Sequence, residues 1–189
     1  SGSKVETYHK MSDPINNVVV AKVLKLERHP DSEKLWICQL DAGREEPVQI
    51  VTAAQNLFEG AIVPACMHNS TIADGTKITK GKLRGVASNG MMCSYAELGL
   101  TKDEFDYPVA DDGILILNND PDVDSFKMGM DLCEALQTDD TIVEFEITNN
   151  RPDCLSVLGL AQEASATFDI PMNYTEPSFK GVDGDITKE

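Results

Sequence analysis

The chain has no apolar run of about 18 residues, which argues against a membrane-spanning helix. No basic, apolar, small-residue leader opens it, so no secretory signal is expected. No Met stands first, so the chain is read as a trimmed or excised segment, with Ser1-Gly2-Ser3 extraneous to the fold. It lacks any C-x-x-C pair, and its cysteines (Cys38, Cys66, Cys93, Cys133 and Cys154) are odd in number. That argues against a disulfide framework or a thiolate zinc site, and for buried free thiols in a reducing, cytoplasmic setting. The histidines, His9, His29 and His68, fall in no ligand spacing, and His68 near Cys66 reads as a strand-end neighbour. G-x-x-x-x-G-K-[ST] and G-x-G-x-x-G are both absent, as are a nucleophile elbow and a spaced acid pair. No catalytic residue, metal ligand or cofactor site is therefore expected within this chain.

Positive charge is also scarce: 16 Lys and Arg face 32 Asp and Glu, a formal net of −16. The imbalance is uneven. Residues 101–146 hold 14 acidic and 2 basic side chains, whereas residues 74–100 hold 4 basic and 2 acidic. A net acidic chain is repelled from nucleic acid at long range, but a local basic face can still hold phosphates. The acidic stretch itself reads as a solvated, solubilising surface.

VVVAKVLKL (18–26) is rich in β-formers, and Lys22 and Lys25 have opposite parity, so neither face is cleanly polar. KLWICQLDAG (34–43), VQIVTAA (48–54) and AIVPACM (61–67) read as further strands, with Pro64 marking an edge or bulge. KITKGKLRG (77–85) and GMMCSYAEL (90–98) flank Ser88-Asn89-Gly90, where Asn-Gly predicts a hairpin turn. Short strands separated by turn signals, with no helical pattern among them, predict a small closed β-barrel in a mainly β fold. GILILN (113–118) predicts a late strand and MGMDLCEAL (128–136) a short amphipathic helix.

The texture changes near Gln137. TIVEFEIT (141–148) alternates strictly, and CLSVLGLAQEASATF (154–168) repeats its apolar residues three or four apart, with Asp153 as N-cap and Pro171 past the end. A lone strand and helix cannot bury their own apolar faces. The unit therefore reads as incomplete, its apolar face over 142–168 exposed or covered by self-association. The last dozen residues look loose. The expected organisation is a lead-in over 1–16, a barrel over 17–135 and a partial α+β unit over 138–189.

Two regions carry a family resemblance. HPDSEKLWICQLDAG (29–43), QIVTAAQNL (49–57), VPACMHNSTIADGTKITKGKLRGVASNGMMCS (63–94) and ELGL (97–100) together resemble the tRNA-binding OB-fold module of several synthetases and stand-alone tRNA-binding proteins. EITNNRPDCLSVLGLAQEASA (146–166) resembles the segment after that module in the bacterial phenylalanyl-tRNA synthetase β-subunit family. The resemblance implies an OB-fold inserted into another small domain, with most of that domain's leading part absent here. It further implies tRNA as a partner, together with an α subunit in an α2β2 holoenzyme. The site for phenylalanine, ATP and Mg2+ would lie chiefly on that subunit, and the editing and anticodon-binding parts further along the β chain.

An OB barrel binds nucleic acid on one face through loops and positive side chains. Lys77, Lys80, Lys82 and Arg84 lie at or near alternate positions, so Lys82 and Arg84 are expected to share a face, joined by Lys80 if the strand is regular through Gly81. Ser88, Asn89 and Gly90 are expected to offer donors at the hairpin tip. By the resemblance, Lys34 lies nearby with the HPDSE loop. Met91, Met92 and Cys93 are expected in the core. The alternatives are a solvated strand face in a subunit-assembly scaffold without direct RNA contact, and a stand-alone tRNA-binding protein, against which NNRPDCLSVLG argues.

Overall fold

A computed structural model describes residues 4–179 and 181. In chain order the strands are β1 (Lys4–Lys10), β2 (Asn16–His29), β3 (Ser32–Asp41), β4 (Val48–Thr52), β5 (Ile62–Thr71), β6 (Lys77–Ile78), β7 (Gly81–Leu83), β8 (Val86–Ser88), β9 (Met91–Met92) and β10 (Thr141–Glu146). The helices are α1 (Leu132–Ala135) and α2 (Val157–Phe168). The fold is mainly β. The chain divides into two compact units: His9–Ile142, and the N-terminal strand through Tyr8 together with the residues from Val143 on. Among the described residues no helix is long and apolar enough to cross a membrane.

In the larger unit a curled antiparallel sheet runs β4–β3–β2–β5–β6, with β9 also paired to β5. β2 pairs with β5 through its first half and with β3 through its second. A register shift between Val23 and Lys25 marks a bulge, a feature that bends a strand and increases its twist. The first half of β2 and the first half of β5 are buried on two faces. Ala21 and Val23, with Val63, Ala65 and Met67, join Leu40, Ile50 and Met92 in one core. Val18, Val20 and Cys66 join a second with Leu115, Leu117, Phe126 and Leu132. This is why VVVAKVLKL has no polar face: a covering arm over residues 93–136 packs on the side that would otherwise meet water. Most of the acidic stretch lies on this arm, its apolar residues turned in and its carboxylates out.

Several local expectations are corrected. The barrel closes by a seam and not by a ladder: Asn89 N donates to Gln49 O (2.8 Å), Gln49 Nε2 to Ala87 O (2.7 Å) and Val51 N to Ser88 Oγ (3.0 Å). Residues 113–118 are not a strand. The Asn56 side chain brackets Ile114, accepting from its N–H (3.1 Å) and donating to its carbonyl (2.8 Å), which occupies groups a ladder would use. Pro64 sits at neither an edge nor a bulge, but opposite Val20 in β5. Val20 turns its N–H and carbonyl away, to Met130 and Gly129, so no ladder bond is asked of the missing proline N–H. In the 128–136 stretch only α1 is helical, capped by Asp131 Oδ1, which accepts from Cys133 N and Glu134 N. All five cysteines are buried free thiols, and burial pushes the Cys38 thiol up to about 12.

In the smaller unit β1 and β10 form a two-stranded sheet. Residues 4–10, expected within a lead-in, thus supply a partner strand for TIVEFEIT. Lys4 Nζ to Glu146 Oε2 (2.9 Å) and Thr7 Oγ1 to Glu144 Oε2 (3.1 Å) link the pair. Both strands are exposed along their whole length. Asp153 is not the N-cap of α2: it lies in the 3-10 turn Pro152–Leu155, and Ser156, in extended backbone, caps the helix by accepting from Gly159 N (3.0 Å). Arg151 reaches Asp153 (2.9 Å) and Glu163 (2.8 Å), tying the turn to the helix. A Cβ on Gly159 would stand 1.8 Å from Asp153 O, so the turn packs where no side chain fits. NRPD and LSVLG are therefore the two halves of one bracket. The tail expected to be loose lies largely outside the described residues.

Candidate nucleic-acid interface

β7 and β8 form a hairpin in the register Gly81↔Ser88, Lys82↔Ala87 and Leu83↔Val86. Its turn is Arg84-Gly85, both with positive φ (46° and 86°), and not Ser88-Asn89-Gly90. The glycine of Asn-Gly serves a different purpose. A Cβ on Gly90 would lie 2.1 Å from Cys66 O, so the position exists for close backbone approach. Lys80, Lys82 and Arg84 are consequently not one strand row. Lys80 lies in the loop before β7, Lys82 within it and Arg84 on the turn.

Ser88, expected among the tip donors, is 3% exposed. Its hydroxyl accepts from Val51 N and donates to Gly90 O (3.0 Å), so it stitches β4 to the β8–β9 link and is not presented to solvent. Asn89 is exposed, with its backbone N–H spent on the seam. Lys34, Lys77, Lys80, Lys82 and Arg84 are all exposed, and among the described residues none of them has a carboxylate partner. Lys25 and Lys102, by contrast, are paired with Glu27 and Asp111. Exposed pairs of that kind contribute little stability but do remove a cation from the field a phosphate would meet.

Two features escaped the sequence reading. The first is His29, 3% exposed at the end of β2. Asp31 N donates to its Nδ1 (3.0 Å), so the ring proton sits on Nε2, which donates to Leu83 O (3.3 Å). The histidine of HPDSEKL thus pins the β7–β8 hairpin, between Lys82 and Arg84, to the β2–β3 turn. The second is Arg44, which shares an open cleft of about 610 Å³ with His68, Lys80 and Asn89, beside Glu45 and Glu46. His68 Nδ1 accepts from Lys80 N (3.1 Å), which fixes the start of the hairpin. A groove of about 360 Å³ runs along the other side, between Lys77, Lys82, Leu83 and Met91. Neither feature is local in sequence: His29 lies 54 positions from Leu83, and Arg44 lies on a different loop from His68, Lys80 and Asn89.

The curled sheet, its seam and its cationic hairpin place the larger unit among OB-like barrels. Residues 18–114 match the family described as "Putative tRNA binding domain", and the chain belongs to that family. Over its whole length it is 47% identical to the phenylalanine–tRNA ligase beta subunit of Clostridium acetobutylicum, of which it covers 23%. It is 49% identical over 177 residues to that of Clostridium tetani, covering 94% of this chain and 21% of the relative. A third, from Nitratidesulfovibrio vulgaris, is 40% identical over 171 residues, with 90% and 20% covered. The chain thus spans about a fifth of the length of these curated relatives.

Proposed function

We propose that the chain is the noncatalytic, tRNA-contacting portion of a phenylalanine–tRNA ligase β subunit, acting in the ATP-dependent charging of tRNA(Phe). In this reading the holoenzyme is a cytoplasmic α2β2 assembly, and the chemistry with phenylalanine, ATP and Mg2+ belongs chiefly to the α subunit. The residues here do not fit those groups: among the described residues no three His, Cys, Asp or Glu side chains cluster to hold an ion, and no phosphate-binding glycine loop occurs. Lys34, Lys77, Lys80, Lys82 and Arg84 contact the ribose-phosphate backbone, with Asn89 beside them. The observation that carries the reading is that these five cations stand exposed and, among the described residues, without a carboxylate partner, in a chain of net charge −16. The acidic arm, on separate residues, supplies long-range repulsion against duplexes and other polyanions that do not fit the basic face.

The test is binding of total tRNA to the chain at low and moderate salt. The triple variant K80E/K82E/R84E is expected to bind at least about tenfold more weakly, with a log–log salt slope shallower by about two, since each phosphate contact contributes somewhat less than about one. Failure of the wild-type chain to bind, or full affinity in the triple variant, would assign it to subunit assembly without direct RNA contact.

A further inference from the structure

We infer that Arg28, stacked on Trp36, is a subsite for one unpaired RNA base. This rests on the tRNA-contacting reading above and extends it from phosphates to a nucleobase. Arg28 and Trp36 are direct cross-strand partners in the β2–β3 ladder. The guanidinium carbon lies 3.5 Å from the indole centroid, in cation–π contact. Its plane is also held by hydrogen bonds: Nη1 donates to Glu33 O (2.6 Å) and to Gln55 Oε1 (3.5 Å). Gln55 is itself fixed, since its Nε2 donates to Lys34 O (3.0 Å) and Ala53 O (2.7 Å).

None of these acceptors is a carboxylate, and among the described residues Arg28 forms no ion pair. Its charge is therefore retained while its motion is restricted, and the side chain remains exposed. An arginine whose role was only to cover the indole would gain from a carboxylate in place of a carbonyl and an amide. A flat, immobilised, uncompensated guanidinium is a surface on which an unstacked base can lie, as aromatic and arginine planes do in single-strand recognition. Strand alternation puts Lys34 on the same face of β3 as Trp36, so a phosphate contact stands next to the platform. His29, one residue on, ties the same strand end to the cationic hairpin.

Trp36 is the chain's single tryptophan, so its emission reports this site alone. Three probes separate base from charge: a single-stranded oligouridylate, a blunt RNA duplex of equal nucleotide count, and inorganic polyphosphate. The expected result is that the oligouridylate changes Trp36 emission on binding while duplex and polyphosphate do not. R28K, which keeps the charge and loses the plane, is expected to weaken oligouridylate binding about tenfold with an unchanged salt slope, and to leave polyphosphate binding unaltered. W36F, which keeps a ring beneath the guanidinium, is expected to retain most of the affinity. Equal emission changes with polyphosphate and oligouridylate, or full oligouridylate affinity in R28K, would overturn the base subsite while leaving the phosphate contacts standing. A wild-type chain that binds tRNA but not the oligouridylate would also overturn it. Binding of neither would remove both readings.

Discussion

The two units are made of elements of similar amphipathic quality, yet they end in opposite states. The first halves of β2 and β5 bury both faces, and Val20, Ala21, Val63 and Ala65 have essentially no exposure. β10 alternates at least as cleanly, yet Val143 and Phe145 remain 41% and 38% exposed. The difference is the second layer. The barrel curls on itself and then receives the 93–136 arm, while the β1–β10 ribbon has only two strands. Periodicity thus specifies which side of an element is apolar, and a covering layer decides whether that side contributes stability. The smaller unit is held instead by polar means, the Arg151 bracket and the Lys4 and Thr7 cross-strand bonds.

The sharpest way to break this comparison is to empty equivalent positions in each unit. Ile50 is fully buried in the barrel core, so Ile50→Ala is expected to cost about 3 kcal/mol in denaturant unfolding followed by Trp36 emission. Phe145→Ala removes a larger side chain from an uncovered ribbon and is expected to cost under about 0.5 kcal/mol when unfolding of its own unit is followed by α2 helicity. A cost for Phe145→Ala near that of Ile50→Ala would mean that a layer covers β10 in solution.

A smaller effect separates packing from positioning within the barrel. His29→Gln keeps a donor that can reach Leu83 O, whereas His29→Asn keeps an acceptor for Asp31 N but its shorter amide does not reach Leu83 O. The glutamine variant is expected to bind tRNA within about twofold of wild type and the asparagine variant several-fold more weakly, at similar melting temperatures. Equal affinities would show that the clamp to the hairpin has no bearing on the cationic face.

These contrasts also explain what could be read from the sequence. The strands at 18–26, 34–43, 48–54 and 61–67 were legible because β-branched runs bounded by turn residues need no distant information. The hairpin turn was misplaced because Asn-Gly is the stronger local signal for positive φ, whereas the chain turns at Arg84-Gly85 and Gly90 instead allows the close approach of Cys66 O. GILILN looks like a strand locally, but Asn56, distant in sequence, takes both backbone groups of Ile114, while the Leu115 and Leu117 N–H groups go singly to Cys93 O and Ile62 O. KVETYHK has a weak pattern, and its partner lies more than a hundred residues away. At the candidate interface the cations were legible as residue types. Their arrangement was not, nor was the Arg28–Trp36 pair, because cross-strand register decides both.

The smallest expected effect sharpens the comparison by pH. The Arg151 guanidinium holds the Asp153 carboxyl down at about 2, below the usual carboxylate value of roughly 3.9. A depressed carboxylate contributes its full stabilisation above the unfolded value and loses it as pH falls through the folded one. The stabilisation that Asp153 contributes is therefore expected in full above about pH 4 and lost as pH falls from about 4 to 2, seen as a change in the Arg151 side-chain resonances and a lowered stability of α2. The barrel seam is built from the Ser88 hydroxyl, the Gln49 amide and backbone groups, none of which titrates in that range. Trp36 emission should accordingly stay native-like through the same interval. D153N should remove the Asp153 contribution to the acid transition of the smaller unit, leaving the Arg151–Glu163 pair, without touching that of the barrel. If the two units lost structure together in wild type, then charge on the barrel's acidic arm, and not the bracket, would be what acid disrupts first.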